Sequence, residues 1–327
     1  MKKITITSVA SIIIIFTLSS IASTQLRWRD KIREKISEQK ETNIYEYSLR
    51  IGKNMRFYRV FIPSSYNKNK KLPLIFNFHG GGGNATQHQE LTQMDKKAEE
   101  AGFMVVYPQG IGLITPKKLG TWNAGDNCCG KAQEENIDDI KFVNRSINDL
   151  IKRFNIDTKR IYATGFSNGA IFCYRLACEL SNRIAAIAPV AGHLDLKNCN
   201  PQRAVPILDI KGKQDKCIAY EGGICGGCLG RKKWPCPSAD ENLRYFANLY
   251  NCANQPKIKN ISSNVTIETY ENCKNGCKVK LLTIANLGHQ WAGGKKLGMS
   301  EEEVGPYLPE PELNDLIWDF FEEISLP

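Results

Sequence analysis

RIYATGFSNGAIFCYRL, residues 160–176, sets a serine between two glycines where one kind of pattern gives way to another. RIYAT reads as a strand. The residues after Gly169 repeat apolar side chains at helical spacing. A turn that sharp is strained, and glycines at 165 and 169 remove side chains that would clash with neighbouring elements. Ser167 is then held with its hydroxyl exposed above the sheet. The start of the following helix favours negative charge beneath it. The backbone N–H of Asn168 points to where an oxyanion would form. The plainer alternative is a tight strand–helix turn with a capping serine.

The segments around this turn repeat the same alternation. LPLIFNFHG (72–80) is a continuous apolar run, as expected of a strand buried on both faces. FMVVYP (103–108), IAAIAPVAG (184–192), VPILDIKG (205–212) and VKLLTIANLG (279–288) read as further strands, the last of these ending the sheet. Helical patterns cover 85–101, 136–154, 168–182, 239–251 and 312–324. IYEYSLRI (44–51) and MRFYRVFIP (55–63) read as a hairpin turning near Gly52 and Asn54. The fold class is therefore α/β, with a mostly parallel central sheet, helices on both faces and an antiparallel N-terminal edge. Residues 43–327 read as one domain.

Composition bounds the setting. The chain has 327 residues, 42% hydrophobic and 24% charged, which suits a globular domain with a real core. MKK is followed by ITITSVASIIIIFTLSSIAS and no charge until Arg27, a pattern expected of an export signal over 1–24. An uncleaved anchor is the alternative. Residues 25–42 read as a charged tether. Either way the remainder is expected to be secreted, extracellular or periplasmic, with membrane association only if the signal is kept. Twelve cysteines suit that compartment and favour disulfides. Cys173 and Cys178 lie on a helix pattern and read equally as buried thiols. Adjacent Cys128 and Cys129 are expected to bond distant partners rather than each other. The net charge of +10 is spread along the chain, with no basic helix carrying interleaved aromatics, so nucleic acid is not an expected partner.

A serine hydroxyl needs a base, and the chain has four histidines. His88 reads as a residue of a surface helix, and His193 as a local hydrogen-bonding group. His79 closes a buried strand. His289, in LGHQW just after the last expected strand, fits a late base on the loop side of the sheet. The acid that orients it must lie between Ser167 and His289. Asp195, Asp209, Asp215 and Asp240 are the aspartates there. Asp209 sits inside a strand and Asp240 opens a helix, where capping explains it. Asp215, in the loop past a buried strand, is preferred over Asp195. HGGGG (79–83) allows backbone N–H groups to approach a substrate oxygen, with Gly80 or Gly81 as donor beside Asn168. A flexible turn or a phosphate loop is the alternative, and no Gly-Lys-Ser/Thr follows to support the latter.

At this point the chain resembles the secreted esterases of the polyhydroxybutyrate depolymerase and feruloyl esterase type, within the α/β-hydrolase superfamily. The resemblance rests on HGGGGN (79–84), TWNAGDNCCG (121–130), DDIKFV (138–143), TGFSNGAIFCYRLACE (164–179), GKQDKCIAYEGG (212–223) and GHQWAGG (288–294). These span most of residues 55–295. It implies Ser167 as nucleophile, Asp215 as acid, His289 as base, and Trp122 and Trp291 flanking the cleft against the acyl group. Core packing is the other reading of both tryptophans. It also implies a Cys252–Cys273 pair. Ala292 stands where the family usually has proline. A larger departure is the cysteine-dense insertion 217–236, whose position suggests a wall or lid beside the cleft. Its four cysteines suit disulfides better than zinc in an exported chain.

The expected activity is that of an exported serine esterase, needing no metal or organic cofactor. Its substrates would be short hydroxyalkanoate oligomers, or feruloyl or acetyl esters on plant or microbial polysaccharides. The alternative is a non-catalytic cell-surface or polysaccharide-binding protein on the same fold.

Overall fold

The computed structural model describes residues 43–115, 117–226, 228 and 233–327. The expected signal and tether, residues 1–42, lie outside the described residues. Strand β1 (Ile44–Ile51) and β2 (Asn54–Phe61) are hydrogen-bonded neighbours joined by a two-residue turn at Gly52, which takes φ +58°. β3 (Leu72–Phe78) and β4 (Met104–Pro108) are buried along their whole lengths. β5 (Ile111–Thr115) and β6 (Lys118–Thr121) form a small hairpin that the sequence reading missed. β7 (Ile156–Phe166), β8 (Ile187–Val190) and β9 (Ile207–Gly212) follow, the first running into the serine turn.

A ten-stranded sheet results, ordered β1-β2-β4-β3-β7-β8-β9-β14-β13-β12. Its centre from β4 to β14 (Val279–Ile284) is parallel, and β2 pairs with β4 antiparallel. The antiparallel N-terminal edge is thus present. A second antiparallel edge was not expected: β12 (Lys257–Asn260) and β13 (Val265–Tyr270) add to β14. All four residues of β12 are exposed, so it carries no buried face for an apolar pattern to reveal.

Alternation along β3 shows how the layers form. Leu74, Phe76 and Phe78 enter a core cluster with Phe142 and Ile147 of α4 (Asp139–Arg153) and Phe172 of α5 (Asn168–Glu179). On the opposite face Asn77 bonds Thr92 and His88 of α1 (Ala85–Thr92). α2 (Met94–Ala101) follows α1, and α8 (Leu313–Glu322) stacks Phe321 on Tyr162 of β7. The expected single helix over 85–101 is two helices. Gln93 takes a left-handed conformation, φ 51°, that ends α1 and starts α2. The remaining helices are α3 (Lys131–Glu134), α6 (Ala239–Leu249) and α7 (Glu301–Val304). α6 is held at its start by a capping box between Ser238 and Glu241.

Residues Tyr45–Pro327 form one compact unit. Among the described residues no helix is long and apolar enough to cross a membrane. Five disulfides are present: Cys128–Cys129, Cys178–Cys199, Cys217–Cys228, Cys225–Cys236 and Cys252–Cys273. Cys173 and Cys277 are buried thiols. The expectation that Cys128 and Cys129 seek distant partners is corrected. The two bond each other, in a loop where Cys128 N–H is tied to Asp195 and Gly130 takes φ +75°. Every other cysteine but two is already paired. The insertion folds as a two-stranded ribbon, β10 (Gly223–Cys225) with β11 (Trp234–Cys236), closed by Cys225–Cys236.

Candidate active site

Ser167 stands at the end of β7 and caps α5 with φ 55° and ψ −119°, a strained conformation for a residue with a side chain. Its side chain makes no capping hydrogen bond. Its N–H is held by Val190 O at 3.0 Å, so the neighbouring strand β8 fixes the turn. The flanking glycines are required by close approach. A Cβ on Gly169 would lie 2.3 Å from Phe78 O, and one on Gly165 would lie 2.8 Å from the same atom. Neither gap admits a carbon.

The glycine loop after β3 runs along this turn. A Cβ on Gly80 would meet Ser167 Cβ at 3.4 Å, and one on Gly81 would meet Asn168 Cβ at 3.5 Å. Gly82 N–H donates to Gly120 O, Gly120 N–H to Gly83 O, and Gly83 N–H to Gly80 O. The N–H groups of Gly80 and Gly81 take no part in this bracing. Asn168, as the first residue of α5, has no acceptor for its N–H within the helix. Its side chain grips the main chain of Trp122, accepting from Trp122 N–H at 2.8 Å and donating to Trp122 O at 3.2 Å.

His79 is the residue whose part in this region sequence reasoning did not see. It is fully buried, and its Nε2 accepts from Gly110 N–H at 2.9 Å. Nδ1 therefore carries the proton and donates to Gly80 O at 2.8 Å, setting the orientation of that peptide. Burial holds its pKa down to about 4, so the ring is neutral at ordinary pH. The signal was present in the sequence: the histidine opens the HGGGG run. Trp122 lies behind it, donating from Nε1 to His79 O at 2.9 Å and stacking on Phe172. Trp122 and Trp291 are both completely buried, the latter packed edge-on against His88. His88 is itself buried, not on a surface helix.

Asp215 follows β9 and His289 follows β14, adjacent parallel strands. His289 Nδ1 and Asp215 Oδ2 are 2.8 Å apart. Asp215 Oδ1 accepts from the N–H groups of Cys217 and Ile218, both at 2.8 Å. The imidazole packs on the ring of Phe166, centroids 4.6 Å apart, and so stands against the residue preceding Ser167. Backbone ties from Gly288 to Pro306 and from His289 to Val304 fix the loop.

The other aspartates are committed elsewhere. Asp195 accepts from Asn127 and Cys128, holding the 121–130 loop. Asp209 bonds Asn242, and burial raises its pKa. Asp240 pairs with Arg244 on α6. His193 has both ring nitrogens in local bonds, to Leu194 O and Trp234 Nε1. Asp139, from the DDIKFV motif, accepts from Arg56 at 2.6 Å and from Asn123 N–H at 2.8 Å. That buried ion pair secures the chain beside Trp122. A cavity of about 360 Å³ lies near Asn84, between Arg59, Gln87 and Lys117, and none of Ser167, Asp215 or His289 lines it.

The insertion reaches the site. The Cys217 and Cys228 sulfurs and a ring nitrogen of His289 lie within 4.8 Å of one another.

Comparison with known proteins agrees with this architecture. The chain is 33% identical over 274 residues to a feruloyl esterase B of Piromyces equi, covering 82% of this chain and 45% of that protein. It is 29% identical over 252 residues to a bifunctional acetylxylan esterase/xylanase of Neocallimastix patriciarum, covering 76% and 33%. This chain thus spans less than half the length of either relative. Among solved structures it resembles an acetyl xylan esterase from Aspergillus awamori, with a TM-score of 0.55, 12% identity, and coverage of 85% and 99%. It also resembles a thermostable esterase, with a TM-score of 0.54, 16% identity, and coverage of 87% and 63%. These two likenesses show the fold, an α/β-hydrolase fold. Residues 57–216, just under half of the chain, match the family described as Esterase PHB depolymerase, so the family model and the feruloyl and acetylxylan esterase relatives all make this chain similar to carboxylic-ester hydrolases.

Proposed function

We propose that this chain is a serine carboxylic-ester hydrolase in which Ser167, His289 and Asp215 form the catalytic triad. One observation carries the reading: the Asp215–His289 pair stands on the ring of Phe166, beside a strained serine flanked by a glycine loop. Asp215 holds the proton of His289 on Nδ1, which leaves Nε2 as the base. Ser167 Oγ attacks the ester carbonyl carbon as Nε2 takes its proton. The tetrahedral oxyanion is met by the N–H of Asn168 and of Gly80 or Gly81. Collapse breaks the ester C–O bond, and His289 returns the proton to the leaving alcohol. Water, deprotonated by the same nitrogen, then releases the acid from the acyl-serine.

Trp122 acts from behind, through His79 and the glycine loop. The relatives favour feruloyl or acetyl groups on plant polysaccharides over hydroxyalkanoate oligomers. Five disulfides support an oxidising compartment for this activity, in keeping with export.

The test is hydrolysis of p-nitrophenyl acetate, methyl ferulate and acetylated xylan by the oxidised full chain and by Ser167→Ala. Turnover should fall by roughly 10⁴-fold or more in the variant, with unchanged circular dichroism. Equal turnover by both proteins would sink the assignment. Activity on hydroxybutyrate oligomers alone would overturn the substrate class.

A further inference from the structure

We propose that the Cys217–Cys228 disulfide keeps the site free of metal, and that its reduction creates a zinc site from Cys217, Cys228 and His289. The two sulfurs and a ring nitrogen of His289 already lie within 4.8 Å of one another. Ligand atoms around a tetrahedral zinc sit roughly 3.3–3.8 Å apart, from Zn–S and Zn–N bonds of about 2.3 and 2.1 Å. Small movements bring these donors to that spacing once the sulfurs part. Two thiolates and an imidazole are a zinc donor set, with a fourth position left for water. The second requirement is also met. A zinc-binding histidine commonly donates its other ring N–H to a carboxylate, and Asp215 Oδ2 holds His289 Nδ1 at 2.8 Å.

The neighbouring cystine gives a contrast inside the same insertion. Ligand atoms of Cys225, Cys236 and His193 also lie within 4.8 Å of one another. Both ring nitrogens of His193 are already bonded, however, to Leu194 O and to Trp234 Nε1. His289 has a bonded Nδ1 and a second nitrogen kept for chemistry. Metal is therefore assigned to the Cys217–Cys228 corner.

The step needs an external reductant. A phosphine takes the disulfide with one water, leaving two thiols and a phosphine oxide. Zn²⁺ then displaces two thiol protons to solvent and accepts a lone pair from His289. Cys228 is only half-buried, which gives the reductant access. Intact, the disulfide offers no thiolate, so the oxidised chain does not take the metal this way. Metal binding stands independently of the triad. Only the resulting loss of activity rests on His289 being the base.

The experiment uses the full chain, oxidised or phosphine-reduced and desalted, titrated with Co²⁺ and Zn²⁺. The reduced chain should show a thiolate-to-cobalt absorption band. Its hydrolysis of p-nitrophenyl acetate should fall about tenfold or more with equimolar Zn²⁺, and a chelator should restore it. The oxidised chain should show neither effect. Cys225→Ser/Cys236→Ser should keep both after reduction, and Cys217→Ser/Cys228→Ser should lose both. A thiolate band surviving in Cys217→Ser/Cys228→Ser overturns the site. So does collapse of the circular dichroism spectrum on reduction, since the donors are then not held together. A band lost in that variant while Zn²⁺ leaves turnover intact supports the metal site and counts against His289 as the base.

Discussion

The two sides of this site are held by different means. Ser167 and the glycine loop are fixed by strand backbones pressed together, with gaps of 2.3 and 2.8 Å where a Cβ would stand. Asp215 and His289 are fixed by loops, through hydrogen bonds to Cys217, Ile218 and each other. A cystine ties the same loop. The first side is fixed because it belongs to the sheet, and at Gly165 and Gly169 it has no room for an added carbon. The second has close approaches of its own, 2.2 Å from a Cβ on Gly212 to Leu287 O and 2.3 Å from one on Gly288 to Gly305 C, but its acid and base depend in addition on polar contacts.

The comparison breaks most clearly at the acid. Asp215→Asn leaves the backbone N–H donors to Oδ1 in place but presents the wrong partner to His289. We expect kcat on p-nitrophenyl acetate to fall by about 10⁴-fold with little loss of stability. A stability loss comparable to that of a core substitution would show that the loop side is as rigid as the sheet side.

On the sheet side the expected effect is on folding. Gly169→Ala places a carbon 2.3 Å from Phe78 O and 2.6 Å from His79 O. We expect a loss of about 3 kcal/mol in urea unfolding. Gly298, with nothing within 4 Å of its Cβ position, serves as control and should change by less than about 0.5 kcal/mol as Gly298→Ala. Equal midpoints for the two variants would refute the close-approach account.

The smallest expected effect sharpens the role of His79. Burial holds its pKa down to about 4, against 6.5 for the unfolded chain. The unfolded state therefore binds the proton first. The stability this group contributes is complete above pH 6.5 and is lost as pH falls through 4, with an upper bound on the order of 3 kcal/mol. His193 is shifted in the same direction, also to about 4 and mainly by burial. Urea unfolding at pH 7, 5 and 4 should show a shallower decline for His79→Gln than for the parent chain. Parallel declines would show that His79 is not buried neutral.

Much of the sheet side was legible because its signals are local. The apolar runs at 72–78 and 104–108 read as strands buried on both faces, and the serine between two glycines marks a sharp strand–helix joint. The antiparallel edge at β12 and β13 was hidden, since an exposed strand such as KIKN has no buried face to pattern. The break at Gln93 was hidden because no glycine or proline marks its left-handed backbone, and the bonds from Thr92 and His88 to Asn77 of β3 join segments apart in sequence.

By itself the sequence determined which residues were available for chemistry, their order along the chain, and the α/β alternation that delivers them to one edge of a sheet. Tertiary structure alone decided the partners. It brought Asp215, the aspartate that the sequence favoured, to 2.8 Å from His289. It buried Trp122 and Trp291 completely. It set the Cys217–Cys228 cystine against His289. The physical reason is range. Strand, helix and turn preferences act between near neighbours in sequence, whereas these contacts join segments that become neighbours only when the sheet assembles.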